Sequence, residues 1–174
     1  MSKQSGREQL IAEVAVAAAD FGAAAGAVDE AVAAALRVNA TDLRILGAVH
    51  EAGTLTAGDA AAAASLSPAA TTSAIQRLVS AGLLHRRPDP ADRRRATLTL
   101  TSHAADAIHD SYGPIAEQGK VELDHWSDPE LITIKRFLEN GIRFQYRHAE
   151  RIHQNHEQPR GVREAGWDRA NEAE

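Results

Sequence analysis

The amino-acid sequence predicts a mainly α-helical protein that contains one small β-hairpin. Its 174 residues include many alanines but only two Trp, two Tyr and three Phe. Alanine favours helix because it loses no side-chain entropy there. Long segments at both ends repeat apolar residues every three or four positions, which is typical of helices. Residues 96–101 instead alternate apolar and polar side chains, which is typical of a strand.

The N-terminal segment, residues 7–37, is predicted to be one long helix. Its apolar side chains recur at spacings of three and four from Leu10 to Ala35, so they form a single stripe. Gly22 and Gly26 lie one turn apart within it and allow another backbone to come close. A helix this long with so narrow a stripe cannot form a core alone. We therefore expect partner helices, from this chain or from a second one.

The central region is predicted to contain three helices, which cover residues 41–52, 57–64 and 68–81. Thr56 and Asp59 have the spacing of a capping box. Ser67 can cap the third helix, and Pro68 occupies its first position, where a missing N–H has no cost. Only three residues separate the second helix from the third. Such a short link is typical of a helix-turn-helix motif.

A β-hairpin is predicted to follow directly after Gly82, which should end the third helix. Residues 83–87 favour a strand that enters a turn at 88–90, and residues 96–101 favour a half-buried return strand. The hairpin tip is rich in arginine. A hairpin in this position is a wing, so residues 41–101 are predicted to form a winged helix-turn-helix.

The C-terminal part, residues 102–153, returns to a helical pattern. Gly113-Pro114 should kink its first helix, and Ser127 or Asp128 should cap a second one. The side chains predicted to face inward are Ala104, Ile108, Tyr112, Ile115, Leu123, Leu131, Ile134, Leu138, Ile142 and Gln145. The pattern fades near Ile152, and residues 154–174 are polar and aperiodic, so we expect a flexible tail.

Positive charge is concentrated in one part of the sequence, although the chain as a whole is acidic. The formal net charge is −5, yet residues 76–95 carry six Arg against two Asp, a local charge of +4. A directed contact with DNA needs local rather than total positive charge. A solvated charged loop would have the same composition, and charge alone does not separate these interpretations.

Several classes of function are disfavoured by what the sequence lacks. There is no Cys, which excludes disulfides and thiolate metal sites. The eight His include no pair four residues apart, so we expect neither a metal site nor another cofactor. No nucleophile–base pair or phosphate-binding glycine loop indicates an enzyme. Without an uninterrupted apolar run of about 18 residues or a signal peptide, we expect a soluble cytoplasmic protein with no membrane partner.

Two motifs in the central region resemble those of a known family. Residues 89–95, Asp-Pro-Ala-Asp-Arg-Arg-Arg, are followed by Leu-Thr-Leu-Thr at 98–101. Arg77-Leu78 precedes Ala-Gly-Leu-Leu at 81–84. Both stretches resemble the MarR (multiple antibiotic resistance regulator) family of winged-helix repressors. The resemblance implies a homodimer whose N- and C-terminal helices interlock as a dimerisation domain. Each chain would then bind half of a pseudo-palindromic operator on double-stranded DNA.

The third helix, residues 68–81, is the predicted recognition helix in the major groove. Ser67, Thr72, Ser73 and Gln76 are the candidates for contact with DNA, and Gln can bind adenine through two hydrogen bonds. Ordinary solvated helix residues would show the same pattern. Many family members carry Arg where this chain has Ser73. The operator preference therefore cannot be taken from relatives.

The arginines of and near the wing are the other candidates. By resemblance, Arg94 is expected to enter the minor groove, where narrow A·T-rich segments attract guanidinium groups. Asp92 is expected to hold a hairpin arginine in place. Arg93 and Arg95 can reach either phosphate or solvent. The remaining phosphate candidates are Arg77 and Arg86.

The resemblance also implies a small aromatic or phenolic effector, although no sequence pattern names its binding residues. A different hypothesis is a winged helix that serves only as a protein-interaction module. That function would suit the acidic net charge, but it leaves the triple-arginine tip unexplained. Steep salt dependence of DNA binding would favour the regulator, and absent binding the module.

Overall fold

A computed structural model describes residues 3–89 and 95–157. Contacts divide the chain into two compact units, Met1–Gln118 and Gly119–Glu174. The helices and strands are α1 (Lys3–Leu36), α2 (Ala40–Ala52), β1 (Leu55–Thr56), α3 (Ala57–Ala64), α4 (Pro68–Ser80), β2 (Leu84–Pro88), β3 (Ala96–Leu100), α5 (Ser102–Leu123) and α6 (Asp128–Glu157). The predicted class, mainly α with a small β-hairpin wing, is confirmed.

The strands form one antiparallel sheet in the order β1-β3-β2. The predicted hairpin is present, and in it Leu84 pairs with Leu100 and Pro88 with Ala96. Strand β2 extends to Pro88, which was predicted to lie in the turn. The third strand, β1, was not predicted. Its two residues are too few to show an alternating pattern, and it exists through its pairing with β3. The expected roles of Asp92, Arg93 and Arg94 lie outside the described residues.

Local capping interactions set the helix boundaries of the helix-turn-helix. The side chain of Thr56 accepts a hydrogen bond from the Asp59 backbone, and the Asp59 carboxylate accepts one from the Thr56 backbone. Ser67 accepts from the backbone N–H of Ala70, with Pro68 at the start of α4. These predicted caps are confirmed. Gly82 follows α4 with φ at +70°, a conformation that side chains with a Cβ rarely adopt.

The core of the first unit lies between the helix-turn-helix and the sheet. Its buried members are Ile45, Leu46, Val49, Ala60, Ala64, Ala74, Ile75, Leu78, Leu83, Leu84, Leu98, Ala104 and Ile108. Three of them, Ala74, Ile75 and Leu78, form the buried face of α4. Thr71 is also buried, and it avoids an unsatisfied hydroxyl because its Oγ1 donates to the Ser67 carbonyl at 2.9 Å.

Helix α1 joins this unit only near its C-terminal end. Val32 and Ala33 pack with Leu43 of α2 in a second buried cluster. The Tyr112 hydroxyl of α5 donates to Asp29 of α1 at 2.7 Å. Burial, with this hydrogen bond, raises the pKa of Tyr112 to about 12, so the hydroxyl stays protonated as a donor at neutral pH.

Residues 4–27 of α1 are exposed along their whole length. They include Leu10, Ile11, Val14, Val16 and Phe21, each at least 45% exposed. Within the described part of the chain, one helix is long and apolar enough to cross a membrane by length and composition alone, and it is Gln4–Leu36. Asp20 and Asp29 interrupt its apolar run. The described residues of a single chain leave this surface uncovered.

Helix α5 continues through Pro114 to Leu123. Ala104 and Ile108 are buried as predicted, but Ile115 is 50% and Leu123 46% exposed. The prediction that Ile115 and Leu123 face inward is therefore wrong for a single chain. Helical periodicity identifies an apolar face, and it does not show that the same chain covers it.

In the second unit, Ser127 and Glu130 define the start of α6. The backbone N–H and the hydroxyl of Ser127 both donate to the Glu130 carboxylate, and these bonds lower the pKa of Glu130. The predicted restart is confirmed. The helix then extends to Glu157, beyond the end predicted near Ile152, because backbone hydrogen bonding continues after the apolar periodicity ends. Leu138 and Ile142, predicted to face inward, are 46% and 54% exposed.

Candidate nucleic-acid interface

Helix α4 presents a polar face opposite the face that it packs into the core. Thr72, Ser73 and Gln76 are all exposed, while Ala74 and Ile75 between them are buried. This separation follows from the helical repeat, because inward and outward positions alternate every three or four residues. The three polar candidates of the recognition helix therefore share one accessible surface.

The hydroxyls on this surface are already bonded to the helix backbone. Thr72 Oγ1 donates to the carbonyl of Pro68 at 2.9 Å, and Ser73 Oγ donates to that of Ala69 at 3.2 Å. Each oxygen keeps lone pairs that can accept a hydrogen bond from a base. Gln76 differs, because its amide offers both a donor and an acceptor. It can therefore form the two-bond contact that adenine presents in the major groove.

Arg86 lies close to this polar face. It is exposed on β2, opposite Leu98 of β3. A concave pocket of about 330 Å³ between α4 and β2 is lined by Ala57, Thr72, Ile75, Gln76, Val79, Ser80 and Arg86. The fold thus brings together three of the residues that the sequence analysis named separately. The exposed Arg86 guanidinium therefore adds a positive charge beside the polar face of α4.

Arg95 is exposed at the start of β3. The pKa of Asp59, at the start of α3, is lowered mainly by hydrogen bonds from Thr56, and the charge of Arg95 lowers it further. Arg95 therefore lies near enough to the start of α3 for its charge to act on Asp59.

Arg77 occupies a different environment. Its Nε donates to Oδ2 of Asp42 at 3.1 Å and its Nη2 donates to Oδ1 at 2.7 Å. The Asp42 side chain is 5% exposed and that of Arg77 is 52% exposed. The hydrogen bond to Asp42 raises the pKa of the Arg77 guanidinium above its ordinary value. The two partners lie 35 residues apart in the sequence, beyond the reach of any local pattern.

Three short helices, a tight turn before the exposed helix α4 and an antiparallel hairpin beside it define a winged helix-turn-helix protein. Residues 38–95 match the model of the MarR family. The helix-turn-helix transcriptional regulator YcgE of Bacillus subtilis strain 168, described as uncharacterized, is 30% identical over 125 residues. The match covers 72% of this chain and 81% of YcgE. The chain therefore belongs to the MarR family of transcriptional regulators and is not an enzyme.

Solved structures agree with this fold. A mutant form of MepR from a multidrug-resistant Staphylococcus aureus clinical isolate is similar with a TM-score of 0.61 and 16% identity, over 76% of this chain and 96% of MepR. YusO of Bacillus subtilis gives 0.55 and 17%, over 78% and 96% of the two chains. NadR in complex with 4-hydroxyphenylacetate gives 0.53 and 22%, over 70% and 88%. At these identities the likeness shows a common fold.

Proposed function

We propose that this regulator is a cytoplasmic repressor that binds a pseudo-palindromic operator as a homodimer. The observation that carries the proposal is the polar face of α4 with Arg86 beside it, on the surface that a winged helix turns toward DNA. The sequence that joins β2 to β3 is also basic, with three consecutive arginines at 93–95. Repression follows when a bound dimer occupies the DNA that the transcription machinery needs.

Base reading is assigned to the exposed side chains of α4. Gln76 contacts an adenine, and Thr72 and Ser73 accept hydrogen bonds from bases or contact thymine methyl groups. Ser67 lies at the N-terminus of α4, where its hydroxyl can donate to a phosphate while its oxygen keeps the cap to Ala70. Arg86 and Arg95 contact phosphates. Because Ser73 is not an arginine, the usual bidentate contact with guanine is absent at that position.

The wing is expected to contribute through Arg94 in the minor groove and through Arg93 on the backbone, with Asp92 holding the hairpin arginines. Arg94→Ala should weaken operator binding at least about tenfold, because a guanidinium in a narrow groove is lost. Fluorescence anisotropy with a labelled operator duplex measures this change. Arg136→Ala, which changes an exposed arginine of α6, removes the same charge and should leave affinity unchanged. Unaltered binding by the Arg94 variant would contradict the wing assignment.

A second copy of the chain is the partner proposed for the exposed apolar surfaces. On α6 and the end of α5, an apolar groove of about 400 Å³ is lined by Leu123, Leu131, Ile132, Ile134, Lys135, Leu138, Glu139 and Ile142. The exposed apolar side chains of α1 form another such surface. Large exposed apolar patches mark interaction sites. In a twofold dimer both chains bury the same residues, and two winged helices then face two half-sites.

The effector is proposed to be a small aromatic or phenolic acid, the class of compound bound to NadR. The pocket between α4 and β2 has a volume within the usual range for small ligands, about 300–1,000 Å³. Ile75 and Val79 can contact an aromatic ring, while Arg86 can bind a carboxylate. A ligand there would occupy residues that DNA also needs, so it would release the operator by direct competition.

Selection of bound duplexes from a random DNA pool tests the function. The expected result is enrichment of an inverted repeat whose half-sites lie about one helical turn apart, roughly 10 base pairs. Repeating the selected binding with 4-hydroxyphenylacetate and related acids tests the effector, which should lower affinity. If no sequence is enriched and no duplex is bound, the protein-interaction module becomes the better account of the fold.

A further inference from the structure

We propose that Asp42 and Arg77 form a positioning pair that holds the recognition helix α4 against α2, and that α4 therefore meets DNA without a free cation. The inference rests on the proposed DNA binding. It reassigns Arg77, which the sequence suggested as a phosphate contact, to a role inside the protein.

The pair has the geometry of a bidentate ion pair. Two adjacent donors of the guanidinium, Nε and Nη2, reach two different oxygens of one carboxylate at 3.1 and 2.7 Å. This fork is planar and directional, so it fixes the orientation of both side chains. Apolar packing of α4 through Ala74 and Leu78 has no such direction. The pair therefore supplies a restraint on the position of α4 that its core contacts do not.

The carboxylate is also held from the other side. Asn39 Nδ2 donates to Asp42 Oδ2 at 3.2 Å, and the Asn39 side chain accepts from the Asp42 backbone N–H at 2.8 Å. Asn39 caps α2 immediately after the end of α1. The network thus connects the junction between α1 and α2 to the recognition helix. A change in the direction of α1 at this junction would shift α4 through the hydrogen bonds of Asp42.

Removing Arg77 from this pair to contact a phosphate would be unfavourable. The Asp42 side chain is 5% exposed, and a buried carboxylate that loses its cation has a large desolvation cost. Arg77 is also the only charged residue in the sequence of α4. With its charge compensated by Asp42, the helix presents a neutral polar face, and the salt dependence of DNA binding must come from the strands and the wing.

The test compares wild type with Asp42→Asn, Arg77→Gln, Arg77→Lys and the double variant Asp42→Asn/Arg77→Gln. Each is titrated with the selected duplex and with a random-sequence duplex over a range of salt, after circular dichroism confirms folding. We expect the two single changes to weaken binding to the selected duplex about tenfold. Binding to the random duplex should not change. The slope of the logarithm of the association constant against the logarithm of salt concentration (the salt slope) should not change either. The double variant should bind the selected duplex no more weakly than the weaker-binding single variant, because both single changes remove the same interaction.

Arg77→Lys keeps the charge but cannot form the fork, so it should also weaken binding to the selected duplex and leave the salt slope unchanged. Arg86→Gln is the matched control for a phosphate contact. Its salt slope should become shallower by about 0.9 for each chain. If Arg77→Gln lowers the slope in the same way, or Asp42→Asn tightens binding to both duplexes, Arg77 is a phosphate contact and the inference is wrong. Variants that all bind as wild type also overturn it. A wild type that binds no duplex removes the proposed function itself.

Discussion

Replacing Leu138 and Ile142 of α6 with glutamate is expected to convert the proposed dimer to a monomer and to weaken operator binding about 10²- to 10⁴-fold. The two side chains are 46% and 54% exposed and line the apolar groove of the second unit. Burying carboxylates in an interface has a large desolvation cost, so the variant chains should not associate. A monomer binds one half-site and loses the gain of about 10²–10⁴ that two linked sites provide.

Light scattering measures the first part of this result, because the mass should fall from twice 18.6 kDa to 18.6 kDa. Arg147→Glu is the matched control. It changes the net charge by the same two units, and the helical repeat places it on the opposite side of α6 from Leu138 and Ile142. It should remain dimeric. A double-glutamate variant that stays dimeric and binds the operator normally would contradict the proposed interface.

Leu98→Ala is expected to lower the free energy of unfolding by about 2–5 kcal/mol, because it removes a fully buried side chain and leaves a cavity. Leu98 is 0% exposed at the centre of the sheet, where β3 pairs with Leu55 on one side and Arg86 on the other. Such a loss is a large share of the roughly 5–15 kcal/mol that stabilises most domains. Urea denaturation at a fixed protein concentration measures it, since association also affects stability.

Leu100→Ala is the comparison for this effect. It makes the same chemical change in the same strand at a half-buried position, so its cost should be smaller. If the two variants unfold at the same denaturant concentration, the placement of Leu98 in the core is wrong. A cavity at Leu98 should also loosen the packing beneath β2, the strand that contains Arg86.

The features predicted well from the sequence depend on nearby residues. Capping acts over three or four positions, as in the capping box of Thr56 and Asp59 and in the start of α4 at Ser67-Pro68. Local sequence patterns therefore predicted where these helices begin. The buried and exposed sides of α4 followed from its periodicity alone. The hairpin was predictable because its strands are adjacent in the sequence.

The features that were not predicted depend on distant contacts. Strand β1 forms because Leu55 pairs with Leu98, which lies 43 positions later in the sequence. The bond between Asp42 and Arg77 likewise requires the packed fold. The exposed polar face of α4 was predictable, whereas its closeness to Arg86 depends on how the hairpin folds back. For Ile115 and Leu138, the pattern identified an apolar face, but these side chains are exposed among the described residues of a single chain.

The salt dependence of binding to the selected duplex tests the central claim most directly. If Arg86 and Arg95 of both chains neutralise phosphates, the logarithm of the association constant should fall linearly with the logarithm of salt concentration. Four such contacts predict a slope of about −3.6 or steeper. A slope near zero, or no binding at low salt, would contradict the assignment of this winged helix to DNA.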